Sequence, residues 1–248
     1  MIIPAKIAQF PVIWELRKMS LYMIMIIKAV IKFKRISLIY NSILDFPIWW
    51  KYLQRKNDPL KNDFPWITFR AEKFLQTILK KDMIVFEYGA GSSTLYFAKR
   101  VNQVFSIEHD INWFEQIQQT FDKQSINNII CQLIEPEFLD KNITSEYISM
   151  HNLYKNKSFE SYVKSIEVFP DEKFDVVMID GRARTSCIKL AKNKIKKGGY
   201  LIVDNSERKY YFNGNDYILN ANEWKPKHFI GPIPYFFHIS KTSFYQKI

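Results

Sequence analysis

Two glycines at alternate positions give the chain its clearest chemical signal. Residues 85–94 (Val-Phe-Glu-Tyr-Gly-Ala-Gly-Ser-Ser-Thr) lead from an apolar segment into a Ser/Thr cluster. That order is typical of a strand, a tight turn and a helix start whose free N–H groups attract polar ligand atoms. Glycine also lets a ligand approach the backbone closely. The turn therefore predicts a nucleotide-like cofactor at the end of a first strand. The predicted binding residues are Glu87, Tyr88, Gly89, Gly91 and Ser92.

An acid at the end of the next apolar segment strengthens this prediction, since Gly-x-Gly alone also occurs in plain turns. Residues 103–109 (Gln-Val-Phe-Ser-Ile-Glu-His) indicate a second strand ending at Glu108. A carboxylate about twenty residues after such a turn can bind the two ribose hydroxyls of a nucleoside. The alternative is a solvated charge at a strand end. The spacing from the Gly-x-Gly turn favours ribose binding.

Alternating strands and helices from residue 64 onward predict an α/β fold with a mostly parallel, doubly wound sheet. Predicted strands cover 84–88, 104–108, 129–134, 174–180 and 200–204, and predicted helices cover 67–79, 93–100, 112–121, 161–169 and 185–195. Further strand-like segments lie at 227–230, 236–239 and 242–246. The last two predict an antiparallel C-terminal hairpin around Ser240-Lys241.

The carboxyl ends of the predicted strands gather polar residues on one rim, where open parallel sheets place their ligands. These residues are Glu87, Glu108, Glu135, Asp180, Asp204 and Asn205. Their concentration indicates a functional site, and Glu135 joins the predicted cofactor-binding residues. The long polar insert from Glu135 to Phe159 predicts substrate contacts or a short helix.

Composition bounds the class of protein. The chain of 248 residues can hold one sizeable domain plus an extension, and 47% hydrophobic residues exclude wholesale disorder. A net charge of +11 suits anionic partners, although the codon bias of an A/T-rich genome explains it as well. No nucleic-acid-binding motif accompanies the charge, so nucleic acid is not an expected partner. Cys131 and Cys187 lack metal-ligand spacing and fit a reduced, cytoplasmic protein.

The N-terminal region differs from the rest. Residues 1–63 predict a helical, basic extension before a domain at 64–248. The apolar run Leu21–Ile27 ends at Lys28 and is too short to span a bilayer. One interpretation is core packing through Leu21, Ile24, Ile27 and Ile31. The other is peripheral attachment of residues 19–35 to the anionic inner membrane surface through this apolar run and Lys28, Lys32, Lys34 and Arg35.

Residues 66–248 resemble the class I S-adenosylmethionine-dependent methyltransferases, which have a Rossmann-like fold. Glu87-x-Gly89-x-Gly91 is similar to the first motif of that family, with Ser93 in place of its third glycine. Glu108 matches the ribose-binding acid, and Asp180 matches the residue that borders the methyl donor. The resemblance implies S-adenosyl-L-methionine as cofactor, Asp180 as catalytic residue and a small-molecule or saccharide acceptor methylated at a hydroxyl oxygen.

A narrower resemblance, to metal-dependent O-methyltransferases, implies a Mg²⁺ site at Asp180, Asp204 and Asn205, whose oxygen atoms suit that ion. No lysine stands three residues after Asp180, so the proton acceptor of those enzymes does not carry over. Without a metal, Asp180 would contact substrate or donor, and Asp204-Asn205 would cap the next helix. His109 and His151 are candidate bases. Arg182 and Arg184 could hold a carboxylate or phosphate, or form a solvated helix start.

Three other functions stay open. A nicotinamide oxidoreductase would use a similar sheet, but the terminal hairpin argues against it. A nucleic-acid methyltransferase would use the basic charge, but no Asn-Pro-Pro-Tyr-type motif follows the fourth strand. A non-catalytic Rossmann-like binding protein could keep the fold without turnover.

Overall fold

A mostly parallel sheet forms the centre of the protein. The structure is a computed structural model that describes residues 11–54, 60, 64–139, 146–212 and 219–248. The described strands are β1 (Ile84–Tyr88), β2 (Gln103–Glu108), β3 (Ile129–Leu133), β4 (Glu137–Phe138), β5 (Lys157–Ser158), β6 (Phe174–Ile179), β7 (Ile195–Val203), β8 (Trp224–Pro232) and β9 (Ile239–Lys247). The main sheet has the order β3-β2-β1-β6-β7-β9-β8, and β4 pairs separately with β5.

Helices precede and cover the sheet. They are α1 (Pro11–Phe33), α2 (Ser37–Gln54), α3 (Phe69–Ile78), α4 (Ser92–Ala98), α5 (Ile111–Lys123), α6 (Glu160–Lys164) and α7 (Arg184–Lys194). Asp110 caps α5 because its carboxylate accepts a hydrogen bond of 3.0 Å from the backbone N–H of Trp113. The insert contains a single 3-10 turn, Asn152–Tyr154, among its described residues.

The central strands confirm the predicted parallel arrangement. β1 pairs in parallel with β2 on one side and with β6 on the other, and β6 pairs in parallel with β7. Successive side chains of a strand point to opposite faces, so Val85 and Phe86 enter separate apolar clusters. Cys187 of α7 lies in the cluster with Phe86, and Leu75 of α3 lies in the cluster with Val85. Helices thus cover both faces.

The C-terminal hairpin exists, but the predicted position of its turn was wrong. β8 and β9 pair from Trp224 with Lys247 to Pro232 with Ile239, so the turn is at 233–238. Ser240 and Lys241 lie inside β9, and most of the predicted strand 236–239 belongs to the turn. The polar Ser240 is tolerated in a buried strand because its hydroxyl accepts a hydrogen bond of 2.9 Å from Asn205.

The fifth parallel strand also begins earlier than predicted. β7 starts at Ile195, the last residue of the predicted helix 185–195, and includes Gly198 and Gly199. Its pairing with β6 shifts register between Phe174 and Val176. The glycines therefore mark an irregularity within a strand rather than a helix end.

The described part of the N-terminal region is helical, as predicted, and it packs on the hairpin. Tyr22 of α1 and Trp49 of α2 share an apolar cluster with Ile230 of β8 and Ile239 of β9. The indole N–H of Trp49 donates a hydrogen bond of 3.0 Å to the carbonyl of Phe236. Residues 1–10, 55–59 and 61–63 lie outside the described residues, and the division into 1–63 and 64–248 stays a prediction.

The prediction of which α1 residues pack inward was largely wrong. Ile24, Ile27 and Ile31 are 47%, 54% and 71% exposed, while Leu21 is half-buried. The inward residues are instead Tyr22, Met25, Ile26 and Ala29. Both sides of α1 are apolar, so periodicity could not choose between them. None of the helices in the described ranges is long and apolar enough to cross a membrane.

Candidate active site

The turn after β1 lies directly against the turn after β6. Gly89 has φ +95°, and a Cβ at this position would lie 2.9 Å from the Cα of Gly181. The backbone N–H of Asp180 donates to the carbonyl of Tyr88 at 3.0 Å. Glycine at 89 is therefore required by backbone conformation and by this close approach.

Glu87 organises the turn from below. It is fully buried, and its Oε2 accepts hydrogen bonds from Thr94 Oγ1 at 2.5 Å and from Ser106 Oγ at 3.0 Å. The backbone N–H of Gly91 donates to Thr94 Oγ1 at 2.9 Å, which links Glu87 to the turn. Burial raises the pKa of Glu87 to about 7, although its hydrogen bonds act in the opposite direction.

Glu108 closes the other side of the turn. Its Oε2 accepts from the N–H of Ala90 at 3.1 Å, and its Oε1 accepts from the N–H groups of His109 at 2.7 Å and Asp110 at 2.9 Å. An ionised carboxylate offers about four acceptor positions, so acceptor capacity remains for ligand hydroxyls. Backbone donors on both oxygens fix the orientation of Glu108.

A cavity of about 460 Å³ opens above these strand ends. Of the predicted site residues, it is lined by Gly89, Gly91, Ser92, Glu108 and Asp180. A Cβ at Gly91 would meet no atom within 4 Å, so the backbone faces open space here. The volume is in the range of small-molecule sites. We call this space the donor cavity.

Three aromatic residues that line the donor cavity were not predicted as site residues: Trp66, Trp113 and Tyr154. The indole N–H of Trp113 donates to the carbonyl of Ala90 at 2.8 Å. Tyr154 Oη lies 2.9 Å from His109 Nε2. Trp113 lies on the helix that follows Glu108, and this position could have indicated a site residue. Its helical spacing alone, however, favours a place in the hydrophobic core.

Three residues predicted to bind the cofactor do not line the donor cavity. Glu87 lies beneath the turn, and the hydroxyl of Tyr88 points into the core, where it donates to the carbonyl of Val163 at 2.6 Å. Glu135 is exposed on the segment after β3. In the structure, Glu87 thus supports the turn from beneath, and the predicted cofactor contacts of Glu87, Tyr88 and Glu135 stay predictions.

Asp180 is held by a buried arginine. Its Oδ1 accepts from Arg184 Nη2 at 2.8 Å, and Arg184 also donates to the carbonyls of Gly181 and Asp204 at 3.0 and 2.7 Å. The Asp180 side chain remains 26% exposed, whereas that of Arg184 is 6% exposed. Burial raises the pKa of Asp180, and the positive charge of Arg184 opposes this rise.

A second cavity of about 370 Å³ adjoins the donor cavity, and Gly181 and Arg182 line both. We call it the acceptor cavity. Its walls come largely from residues 146–151, the start of α7 and residues 208–211. Part of the polar insert therefore lines a cavity, and its predicted substrate contacts stay a prediction. Residues 140–145 lie outside the described residues.

The predicted metal ligands after β7 are engaged in hydrogen bonds. Asp204 is 2% exposed, and its two carboxylate oxygens accept from Thr242 Oγ1 at 2.6 Å and Asn205 Nδ2 at 2.7 Å. Burial, followed by the negative charge of Asp180, raises the pKa of Asp204 to about 8. Since Asp180 also pairs with Arg184, this donor set does not fit Mg²⁺. Within the described ranges, no group of three His, Cys, Asp or Glu residues could hold a metal.

Comparisons with known proteins support the fold. No family model and no curated protein matches the sequence. In structure, the chain is similar to SMU.1697c from Streptococcus mutans, a protein assigned as a methyltransferase and crystallised with SAH. The TM-score is 0.52 at 11% identity, over 78% of this chain and 99% of that one.

Two other solved structures are similar at lower TM-scores. The methyltransferase-like protein spo2022 from Silicibacter pomeroyi gives 0.47 at 19% identity, over 71% of this chain and 84% of that one. An rRNA methylase from Streptococcus thermophilus gives 0.46 at 15% identity, over 72% and 95%. Strand order, the antiparallel C-terminal pair and the match to SMU.1697c together identify the fold as the Rossmann-like methyltransferase fold.

Proposed function

We propose that the protein transfers a methyl group from S-adenosylmethionine to a hydroxyl oxygen of a small-molecule or saccharide acceptor. One observation carries this proposal: the donor cavity and the acceptor cavity meet at Gly181 and Arg182, beside Asp180. Two substrates bound in adjoining cavities can be held in contact, and such proximity supplies most of the catalysis that a reactive donor needs.

The donor cavity has groups suited to the ribose and the adenine of the methyl donor. Glu108 accepts hydrogen bonds from the ribose hydroxyls, and the Trp113 ring borders the adenine. The backbone at Gly91 allows close approach because no side chain fills the space above it. His109 supports this arrangement, since its ring nitrogens lie 2.7 Å from Glu108 Oε1 and 2.9 Å from Tyr154 Oη.

Asp180 serves as the proton acceptor. The donor supplies a sulfonium methyl group that is open to in-line displacement. As the acceptor oxygen forms its bond to the methyl carbon and the carbon–sulfur bond breaks, the hydroxyl proton passes to the Asp180 carboxylate. Arg184 keeps that carboxylate in place, and its raised pKa makes it a better base than a solvated aspartate. No step needs Mg²⁺, and we expect turnover to survive chelation of divalent ions.

Calorimetry with S-adenosylmethionine and NAD tests the donor assignment. We expect the first to bind and the second not to bind. Gly91→Val should weaken binding at least tenfold because its side chain enters the donor cavity, and Glu108→Gln should weaken it because two acceptor oxygens become one. Glu115→Gln, on the exposed face of α5, is the matched control. Equal affinity in all four proteins would contradict the assignment.

Turnover is tested by release of S-adenosylhomocysteine with a panel of hydroxyl-bearing acceptors. Asp180→Asn should keep donor affinity and lose most of kcat. Donor binding without turnover on any acceptor class would favour the non-catalytic alternative, and turnover on RNA alone would favour a nucleic-acid acceptor.

A further inference from the structure

We propose that the acceptor cavity binds an oxyanion of the acceptor, a carboxylate or a phosphate, through Arg182 and Arg208. This inference rests on the proposed methyl transfer and names the chemical class of its acceptor. The acceptor would carry its hydroxyl group near Asp180 and its anionic group farther along the acceptor cavity.

The charges of the acceptor cavity do not balance. Among the described residues, four cationic side chains line it, Arg182, Arg184, Lys189 and Arg208, against the single carboxylate of Glu146. Arg184 is neutralised by Asp180 at 2.8 Å, and Lys189 pairs with Glu146 at 3.2 Å. Neither of the remaining two arginines forms an ion pair with a described residue. Two positive charges are therefore available to an anionic ligand.

Each of the two arginines is oriented by a tyrosine side chain. The guanidinium of Arg182 lies 5.3 Å from the centre of the Tyr154 ring, and Arg208 Nη1 donates to Tyr211 Oη at 2.8 Å. Arg182 Nε is buried and has no hydrogen-bond partner among the described residues. A buried, unsatisfied N–H donor is costly, so it points to a ligand oxygen as its partner.

Arginine suits this role better than lysine. Its planar guanidinium offers parallel N–H donors that match the two oxygens of a carboxylate or phosphate. The first residues of α7 line the same cavity, so the positive end of the helix dipole is near it. Since Arg182 also lines the donor cavity, an anion on this arginine would hold the acceptor beside the methyl donor.

Phenyl phosphate, benzoate and phenol are suitable probes because they share one ring and differ in charge. We expect saturation-transfer NMR to show binding of the two anions and not of phenol. Arg208→Gln and Arg182→Gln should each lower the anion affinity about tenfold. Lys192→Gln, on α7 but outside the acceptor cavity, should leave the anion affinity unchanged. Tighter binding of benzoate than of phenyl phosphate would identify a carboxylate as the preferred group. Tighter binding of phenyl phosphate would identify a phosphate.

The two proposals fail in different ways. If the protein binds S-adenosylmethionine but binds the anions no better than phenol, the oxyanion proposal is wrong and the methyl-transfer proposal stands. If S-adenosylmethionine does not bind, the methyl-transfer proposal is wrong. Arg208→Gln should keep its donor affinity, and a loss of donor binding in this variant would overturn the assignment of Arg208 to the acceptor.

A second inference rests on an independent observation, the outer face of α1. We infer that this face lies on the surface of a membrane that contains anionic lipids. Leu16, Met23, Ile27 and Ile31 recur at intervals of four or seven residues and therefore share one side of the helix. They are 58%, 46%, 54% and 71% exposed, although the opposite side of α1 is already buried on the hairpin.

Exposed cations accompany this apolar stripe. Lys28, Lys34 and Arg35 are exposed and form no ion pair with a described residue, and Lys32 is 3.8 Å from Glu207. An apolar stripe beside basic residues is the pattern of a helix that lies in the membrane interface. Charge complementarity decides the occupant, because a second copy of the chain would bring like charges together, whereas acidic lipids neutralise them.

Sedimentation of the full-length protein with vesicles tests this inference. We expect it to sediment with phosphatidylglycerol vesicles and much less with phosphatidylcholine vesicles. Met23→Glu with Ile27→Glu should abolish sedimentation, and Lys28→Glu with Arg35→Glu should reduce it at least tenfold. The control Val168→Glu changes a residue that is 81% exposed elsewhere on the surface.

A wild-type protein that does not sediment would overturn the inference. So would a dimer in solution that Met23→Glu with Ile27→Glu dissociates, because the stripe would then be a self-association surface.

Discussion

Glu87 shows how a single buried acid supports the glycine turn from beneath. It occupies the motif position next to the glycines, which predicted a cofactor contact. In the structure it accepts hydrogen bonds from Thr94 and Ser106 and so joins the glycine turn to β2. The sequence identified the residue as important, but could not distinguish a ligand contact from support of the turn, because both place an acid at the end of β1.

The raised pKa of Glu87 predicts a pH dependence of stability. The ordinary value is 4.5 and the folded value is about 7, so the unfolded chain loses this proton first as pH rises. The stability contribution is fully present below pH 4.5 and is lost as pH rises through about 7. Glu87→Gln cannot lose a proton. We expect the wild type to lose on the order of 3 kcal/mol more than the variant between pH 4.5 and 7.5 in denaturant unfolding. Parallel pH profiles of the two proteins would contradict the prediction.

At the scale of elements, the contact between the turns after β1 and β6 explains why the two motif glycines are not equivalent. Gly89 has φ +95° and touches Gly181, whereas Gly91 has an extended backbone, φ 178°, and faces open space. The sequence shows the same residue type at both positions. The difference arises from the neighbouring turn after β6, which lies about ninety residues farther along the chain and contacts Gly89 but not Gly91.

Gly89→Ala and Gly91→Ala form a matched pair that tests this difference. We expect Gly89→Ala to destabilise the fold by about 2–4 kcal/mol because it combines backbone strain with a steric clash. Gly91→Ala should cost less than about 1 kcal/mol. Chemical denaturation of both variants measures the difference. Equal losses would show that the two turns do not constrain each other as the structure indicates.

Elements were predictable where their local pattern was unambiguous. The segment 174–180 was predicted as a strand, and the structure has β6 at Phe174–Ile179. The turn of the C-terminal hairpin was predicted at Ser240-Lys241, after its actual position at 233–238, because these two polar residues resemble a turn. Their polar groups are instead satisfied by long-range partners, such as Asn205 and Glu207, that no local pattern reveals.

At the scale of the whole molecule, the N-terminal helices and the C-terminal hairpin form one packed unit. Trp49, Ile230 and Ile239 come from distant parts of the chain and share a cluster. The sequence predicted helices at the N-terminus but not their partner, because an amphipathic pattern shows that a face is buried without showing against what.

Trp49→Ala tests whether this packing supports the whole fold. Trp49 is fully buried, so its truncation should cost about 3–5 kcal/mol in a single unfolding transition. Ile31→Ala, at a residue that is 71% exposed, is the control and should change stability by less than about 0.5 kcal/mol. Fluorescence and circular dichroism should give the same midpoint. Two separate transitions would show that the N-terminal helices unfold independently.

The narrow boundary at Gly181 and Arg182 has a consequence for how the protein can diversify. The donor cavity is built mainly from the ends of β1, β2 and β6, which the sheet holds rigidly. The acceptor cavity draws much of its wall from residues 146–151 and 208–211, which lie between the main strands and helices, the second segment largely in the 3-10 turn Lys209–Phe212. Under the proposed function, exchange of these two segments between homologues would change the accepted molecule and leave the donor cavity intact, so the two cavities can diversify independently.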